Sequence, residues 1–358
     1  MSEQIFFIHP AASGRSICRN CGQFIAKKML RIGKNVPNPC DLENEGWGDI
    51  TLYYHVPCMF EEFDKEKAKE RKIKSPADVC GFDQLKQDEK ETVLKLIHDT
   101  NIKREDNSLH QFRCLCNKIS GEDSNAGKTA LVSDYLKKGT SGSGFKGDVY
   151  LLMKFLLPGV VKTNYRLSNT DLVKYFSEIF GTSHKAMEED LAQTEVWEII
   201  RVCYEKSKTV TPLEESMVSL REMDGLLTGL STATQPIRIL KKIIKRCTSN
   251  DLMMVVRLIK HDLGINSKAK YIFDGLDPNA YEAFQISEDL KDVVERVQSK
   301  TLHSLPGIKM KTGNDSESYG ASGSSDKKTL VKRQAEDVRQ TTPSKKAKPD
   351  STTDDCKP

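Results

Sequence analysis

"CRNCGQFIAKKMLRIGK" (residues 18–34) opens on two cysteines two residues apart and continues through Lys27, Lys28, Arg31 and Lys34. A Cys-x-x-Cys pair is half of a tetrahedral metal site. Downstream lie Cys40, His55, Cys58 and Cys80, and among them only "HVPC" (residues 55–58) repeats the two-residue gap. Cys18, Cys21, His55 and Cys58 then form a Cys3His set, a closed structural zinc site with no open position for water. Zinc bound this way contributes on the order of 10–16 kcal/mol to folding, which suits a segment of modest core. The competing reading is a group of reduced buried thiols beside a surface histidine. Cys40, Cys80, Cys114, Cys116, Cys203, Cys247 and Cys356 lack the paired spacing.

The spacing also bears on how the metal segment would bind. Thirty-three residues separate Cys21 from His55, far more than the dozen or so of a finger that reads bases with one recognition helix. Between Glu3 and Asp41 stand Arg15, Arg19, Lys27, Lys28, Arg31 and Lys34 and no acidic residue. Such a run is a solvated face or, on a metal-organised knob, a set of phosphate contacts.

Around this knob the 358 residues, 37% hydrophobic and 30% charged, divide by texture into three regions. Residues 1–100 are turn-rich and end in the helical pattern "DQLKQDEKETVLKLIHD" (residues 83–99), with Leu85, Val93, Leu94 and Ile97 as apolar points and Asp83 as the expected N-cap. Residues 108–302 read as helix after helix. In "NDLMMVVRLIKHDL" (residues 250–263), Leu252, Val255, Val256, Ile259 and Leu263 make one apolar face. Residues 303–358 nearly lose aromatics and carry "TGNDSESYGASGSSDKK", a composition too polar to offset chain entropy, so disorder is expected. The fold class expected is a small zinc-stabilised α+β finger, an all-α helical domain and a disordered tail. No stretch has the ~18 apolar residues of a membrane span. The start of the chain lacks a signal-peptide pattern, and ten sparse cysteines point to a reducing compartment.

Two stretches in the helical region raise binding questions, and one is a decoy. In "GEDSNAGKTALVSDYL" (residues 121–136), Gly127, Lys128 and Thr129 imitate a phosphate-binding loop. However, Gly121 and Gly127 enclose five residues rather than four, and the preceding "HQFRCLCNKI" is helical. A helix start after a turn is expected instead. "KKGTSGSGFKGDVYLLMKFLLPG" (residues 137–159) sets four glycines, with Lys138 and Lys146 among them, before an apolar helix, either to gather backbone N–H groups on an anion or as a plain connection. Arg257, Lys260 and His261, with Lys268 and Lys270 beyond, are expected to line a basic ridge opposite the apolar face.

The Cys-x-x-Cys pair, the insert holding "RIGK" and "VPNP", a tryptophan and "YYHVPCMF" together resemble the zinc finger of poly(ADP-ribose) polymerase type, most closely the form that precedes DNA ligase III. The stretches "KGTSGSGFKGDVYLLMKFLLPGVVKTNYRL", "DLVKYFSEIF", "RLIKHDL" and "LDPNAYEAF" are similar to the helical DNA-binding domain of that ligase family. The resemblance implies a structural Zn2+ on Cys18, Cys21, His55 and Cys58, and sequence-independent recognition of nicked or gapped duplex DNA in repair. Phosphate contacts would come from Lys28, Arg31, Lys34, Lys138, Lys146, Arg257, Lys260, His261, Lys268 and Lys270, with Val36 and Pro37 as the apolar element. Implied partners are double-stranded DNA with strand breaks and repair scaffold proteins, with no membrane.

The chain departs from that family at the catalytic motif. An ATP-dependent ligase carries AMP on the lysine of KxDG, whereas "YIFDGL" (residues 271–276) has Ile272 in the lysine's place. ATP is then a cofactor only where a catalytic core with its OB-fold is present elsewhere. The chain is either a truncated or alternative ligase product or a free nick-binding protein, and a zinc adaptor for protein partners is a further reading. Residues 100–108 make a shorter linker than the family's. Lys332 and Arg333, then "KKAK" (residues 345–348) after eleven residues, match a bipartite nuclear signal, which implies the nucleus.

Overall fold

The computed structural model describes residues 5–38, 48–65, 72–161 and 163–307. Cys40, the tryptophan of "EGWG" and the tail from residue 308, with both basic clusters and Cys356, lie outside the described residues. No helix among the described residues is long and apolar enough to cross a membrane.

The N-terminal part is a four-stranded sheet in the order β3-β2-β1-β4. Strands β1 (Phe6–Pro10), β2 (Leu30–Pro37) and β3 (Asp49–His55) are antiparallel neighbours, and the short β4 (Val79–Cys80) joins β1 in parallel. Alternation sorts the side chains. Phe6, Ile8, Ile32 and Tyr54 face a core closed by Met59, Phe60 and Phe63 of α1 (Val56–Lys65) and by Val93 and Ile97 of α2 (Gln87–Asp106). The opposite face carries Phe7, His9, Arg31, Gly33 and Tyr53, as the register Phe7↔Gly33↔Tyr53 requires. Gly33, the glycine of "RIGK", is there because Phe7 lies across it: a Cβ would stand 2.3 Å from the ring.

Helix α2 differs from the sequence expectation at both ends. It starts at Gln87, where the Glu89 carboxylate accepts the Lys86 N–H at 3.0 Å, while Asp83 sits in a separate 3-10 turn, Phe82–Gln84. Leu94, expected on the apolar side, is 42% exposed. The helix then runs on to Asp106, through the residues expected to be a linker. At ~1.5 Å per residue its 20 residues span ~30 Å.

The rest is helical. Helices α3 (Leu109–Ser120), α4 (Asn125–Lys138), α5 (Val149–Leu156), α6 (Pro158–Val161), α7 (Asn169–Phe180), α8 (His184–Asp190) and α9 (Val196–Glu205) precede a loop. After it come α10 (Leu220–Ser231), α11 (Pro236–Ile244), α12 (Ser249–Ile259), α13 (Ala269–Leu276), α14 (Ala280–Ser287) and α15 (Leu290–Gln298). Starts are marked as the residue types require, with the side chains of Ser108, Ser124, Asp148, Ser168, Ser183, Ser219, Thr248 and Asp289 accepting backbone N–H bonds. One apolar core runs from Leu109 to Leu305 and includes Leu252, Val255, Val256, Ile259 and Leu263, the face expected from periodicity. Leu302 and Leu305 are buried in it, so the core reaches past the expected boundary at residue 302. The buried pair Arg113–Asp251, 3.0 Å apart, ties α3 to the start of α12 and also receives Ser216 Oγ at 2.9 Å.

Candidate metal centre and nucleic-acid interface

Cys18 and Cys21 sit on a tight knuckle. The Gly22 N–H closes it onto the Cys18 carbonyl at 2.9 Å, and Cys18 N–H donates to the Gln23 carbonyl at 2.8 Å. Strand β3 ends at His55 and α1 begins at once, which puts Cys58 one turn further on. The ligand atoms of Cys18, Cys21, His55 and Cys58 all lie within 4.8 Å of one another. Cys21 Sγ is 3.4 Å and Cys58 Sγ 3.8 Å from His55 Nδ1, close to the edges of a tetrahedron with ~2.3 Å Zn–S and ~2.0 Å Zn–N bonds. The residues fit a structural zinc ion, with Nδ1 as the imidazole donor.

The thiols titrate as a group. Burial pushes the Cys18 thiol up, but N–H donors from Cys21, His55 and Asn20 outweigh it and bring its pKa to about 7. Burial, then the neighbouring Cys21 and Cys18, push Cys58 up to about 12. One proton leaves such a cluster readily and the last is held tightly. A cation among the sulfurs supplies the missing positive charge.

The structure separates the expected DNA contacts into three groups. Lys28, Lys138, Lys146, His261, Lys268 and Lys270 are exposed, and Lys34, Arg257 and Lys260 are half-buried. Arg31 is buried, stacked over the Tyr53 ring at 3.7 Å and donating to Ser16 Oγ. Three residues apart on a strand, Arg31 and Lys34 point to opposite faces of the sheet, so they do not form one grip. Lys138 pairs with Asp134 at 2.8 Å.

The basic ridge on α12 is also corrected. The helix ends at Ile259, Lys260 is its C-cap, and His261 takes the left-handed conformation beyond it with φ 56°. Arg257 turns back to close this end, donating to the Leu263 carbonyl at 3.0 Å and lying over Trp197 at 5.0 Å. What the structure does bring together is the connection from α12 to α13, which carries Lys260, His261 and Lys268, with Lys270 in the first turn of α13.

The glycine-rich segment answers its own question. Its N–H groups do converge on an anion, but the anion is the chain's own Asp106, which is 1% exposed. The carboxylate accepts Thr140 N–H at 2.8 Å, Thr140 Oγ1–H at 2.7 Å and Lys146 N–H at 2.6 Å. Beside it, Asn107 Oδ1 accepts Asp148 N–H at 2.7 Å.

The decoy "GKT" is structural too. Ser124 caps α4, and Lys128, 4% exposed, donates to the carbonyls of Ile265 at 3.1 Å and Asn266 at 2.8 Å. Thr129 Oγ1 donates to the Tyr271 carbonyl at 3.0 Å. The "FDG" of α13 serves packing, since a Cβ on Gly275 would meet Val132 at 2.6 Å, and Ile272 is buried.

One basic stripe escaped the sequence reading. Arg238, Lys241, Lys242 and Lys245 are all exposed, and their spacing i, i+3, i+4, i+7 puts them on one face of α11 and its last turn. Among the described residues, Lys241 pairs with Glu178 at 3.7 Å. The spacing was the available signal.

Comparison with known proteins finds two matching families along the chain. Residues 9–97 match the family described as the poly(ADP-ribose) polymerase and DNA-ligase Zn-finger region, and residues 108–277 match the DNA ligase N terminus. A DNA ligase of Fowlpox virus is 40% identical over 194 residues, which cover 53% of this chain and 34% of the viral protein. A DNA ligase of Vaccinia virus (strain Western Reserve) is 32% identical over 201 residues, 55% of this chain and 35% of its own. DNA ligase 3 of Dictyostelium discoideum is 32% identical over 194 residues, 53% and 16% respectively. The chain thus spans little more than a third, or less, of the relatives it matches. These relatives support DNA ligases in general rather than ligase III. The chain thus has a segment that matches the poly(ADP-ribose) polymerase and DNA-ligase Zn-finger region, with a Cys3His group suited to structural zinc, followed by a helical segment that matches the DNA ligase N terminus.

Proposed function

We propose that this chain binds duplex DNA at strand discontinuities, without sequence preference, as the DNA-engaging part of a ligase III-like repair activity. The observation that carries the reading is the joining, in one chain and through one helix, of a zinc-finger region shared by poly(ADP-ribose) polymerases and DNA ligases to a DNA ligase N-terminal region. The exposed cations Lys28, Lys138, Lys146, Lys268 and Lys270 offer contacts to phosphates rather than to base edges, which gives affinity without sequence readout. Zinc acts as scaffold, and the 358 residues hold no KxDG lysine to accept AMP. Nuclear location, from the clusters at Lys332–Arg333 and residues 345–348, belongs to the same proposal and is read by the distribution of a fluorescent fusion with and without the second cluster.

The test is an equilibrium titration of the full chain with nicked, one-nucleotide-gapped and intact duplexes at several salt concentrations. The expected result is tighter binding to the interrupted duplexes and a log–log salt slope of about −0.9 per phosphate neutralised. Equal affinity for all three would refute it.

A further inference from the structure

Beside the metal group, the core of the finger reaches the surface in a cleft of about 480 Å3. Its apolar lining comes from Met29 and Leu30, where β2 begins, and from Val56 and Pro57, where α1 begins. Its polar lining comes from the first two turns of α2, which present Asp88, Glu89 and Thr92. Residues 88, 89 and 92 share one face of a helix by their spacing. Met29 is 46% exposed, whereas Val56 below it is buried. Pro57 and Thr92 are also exposed, so the cleft is open along its length.

The charge of this cleft is the reverse of that of the finger around it. Among the described residues, its lining holds two carboxylates and no lysine or arginine. Lys27, Lys28, Lys86 and Lys90 are close in sequence but do not line it. Two carboxylates repel a phosphate backbone, so the cleft suits a cationic ligand rather than DNA. Glu89 is engaged at the start of α2, where it accepts the Lys86 N–H at 3.0 Å. Asp88 is exposed and stands ready for a cation.

His55 adds a directed donor. Its Nδ1 faces the sulfurs of Cys21 and Cys58. With Nδ1 on a metal, the ring proton sits on Nε2, and a metal-bound histidine gives that N–H to a carbonyl, a carboxylate or water. Because His55 lines the cleft, a backbone carbonyl lying there can accept it.

We propose that this cleft docks a short extended peptide of a partner protein, one that carries an aliphatic side chain beside a lysine or arginine. The aliphatic side chain packs among Met29, Leu30 and Val56, the cation pairs with Asp88, and a peptide carbonyl accepts from His55 Nε2. The volume lies within the ~300–1,000 Å3 of clefts that bury small ligands. Apolar contact supplies most of the affinity, and the carboxylates select the charge of the partner. The inference is independent of the DNA reading, since a peptide held here leaves the exposed cations of the finger uncovered.

The experiment uses the zinc-loaded full chain labelled with 13C at the methionine methyl groups, with the Met29 signal assigned from Met29→Leu. The probe is the acetylated, amidated pentapeptide Ser-Leu-Arg-Lys-Ser. A saturable shift of the Met29 signal is expected. Asp88→Lys should weaken binding about 5-fold, the upper end for a solvent-exposed ion pair, and Asp88→Asn, which removes only the charge, should weaken it less. A probe with serine in place of leucine should bind about 10-fold more weakly or worse, and a gapped duplex should not displace the original probe. The proposal is overturned if the Met29 signal does not move by ~10 mM probe, or if Asp88→Lys binds the probe as well as the parent does. Equal binding of a probe with two glutamates in place of arginine and lysine would also overturn it, as would displacement by the duplex. A Met29 shift that follows protein concentration alone would put a second copy of the chain in the cleft and likewise refute it.

Discussion

Replacing Asp106 tests whether the glycine-rich loop is held by the chain's own carboxylate rather than kept open for phosphate. The carboxylate is almost fully buried and accepts three bonds of 2.6–2.8 Å from Thr140 and Lys146. Deleting a hydrogen bond to a charged group costs about 1.5–3 kcal/mol. Three such losses do not add in full, because Thr140 is half-buried and water reaches part of the loop once the carboxylate is gone. Asp106→Ala is therefore expected to destabilise the helical domain by about 3–5 kcal/mol. Asp106→Asn keeps one acceptor but turns an amide N–H2 towards an N–H donor, for a cost of about 2 kcal/mol. Urea unfolding followed by far-ultraviolet circular dichroism measures both, and a shifted midpoint with an unchanged slope marks a stability effect. Amide exchange at Thr140 and Lys146 should quicken in Asp106→Ala before global unfolding does. A loss under about 1 kcal/mol in Asp106→Ala, or an Asn variant as stable as the parent, would show that the loop does not depend on this carboxylate.

Cys21→Ala, or removal of zinc by a chelator, should unfold the finger while leaving most of the helical signal, measured as lost zinc content and a lost low-temperature transition. Because the thiols must lose their protons to bind metal, zinc affinity should fall as pH drops through the neutral range, as a competition titration with a chromogenic chelator would show. Lys128→Met should cost about 2–3 kcal/mol by stranding the carbonyls of Ile265 and Asn266, and if it instead abolished nucleotide binding, the structural role given to "GKT" would be wrong. Reversing Lys242 and Lys245 to glutamate should lower DNA affinity and reduce the log–log salt slope by about 1–2 if α11 tracks phosphates, and an unchanged slope would assign the stripe to solvent.

The parts of the molecule legible in the sequence are those with local causes. The metal group could be read because Cys-x-x-Cys and "HVPC" each form a tight turn whose spacing survives in the fold. The apolar face of α12 could be read because one helix shows its own period. Other features depend on distant partners. Arg31 and Lys34 look like one basic cluster until β2 is known to be a strand, and strand alternation then sends them apart. The glycine segment and Asp106 are separated by 34 to 40 residues, so no local pattern shows that the anion site is already filled. Arg257 had helical spacing for a ridge, yet the left-handed turn at His261 gives it the Leu263 carbonyl to satisfy.

The same argument explains why residues 100–108 looked like a linker. Polar residues dominate the second half of α2, and a helix with no apolar stripe there gives no periodic signal. The helix persists because its two ends are held separately, Val93 and Ile97 in the core of the finger and Asp106 with Asn107 in the bonds of the helical domain. A flexible linker would let each module search for DNA independently, with a second contact governed by linker length. A helical strut instead fixes the span between the last finger-core contact, Ile97, and Asp106 at ~14 Å along its axis, so that, on the proposed function, both modules would meet one duplex in a set register. Inserting three glycines after Asp99, which breaks the strut without touching either core, should then leave the stability of each module nearly unchanged and weaken binding to a gapped duplex. Undiminished affinity in that insertion variant would show that the modules act independently and that α2 is only a tether.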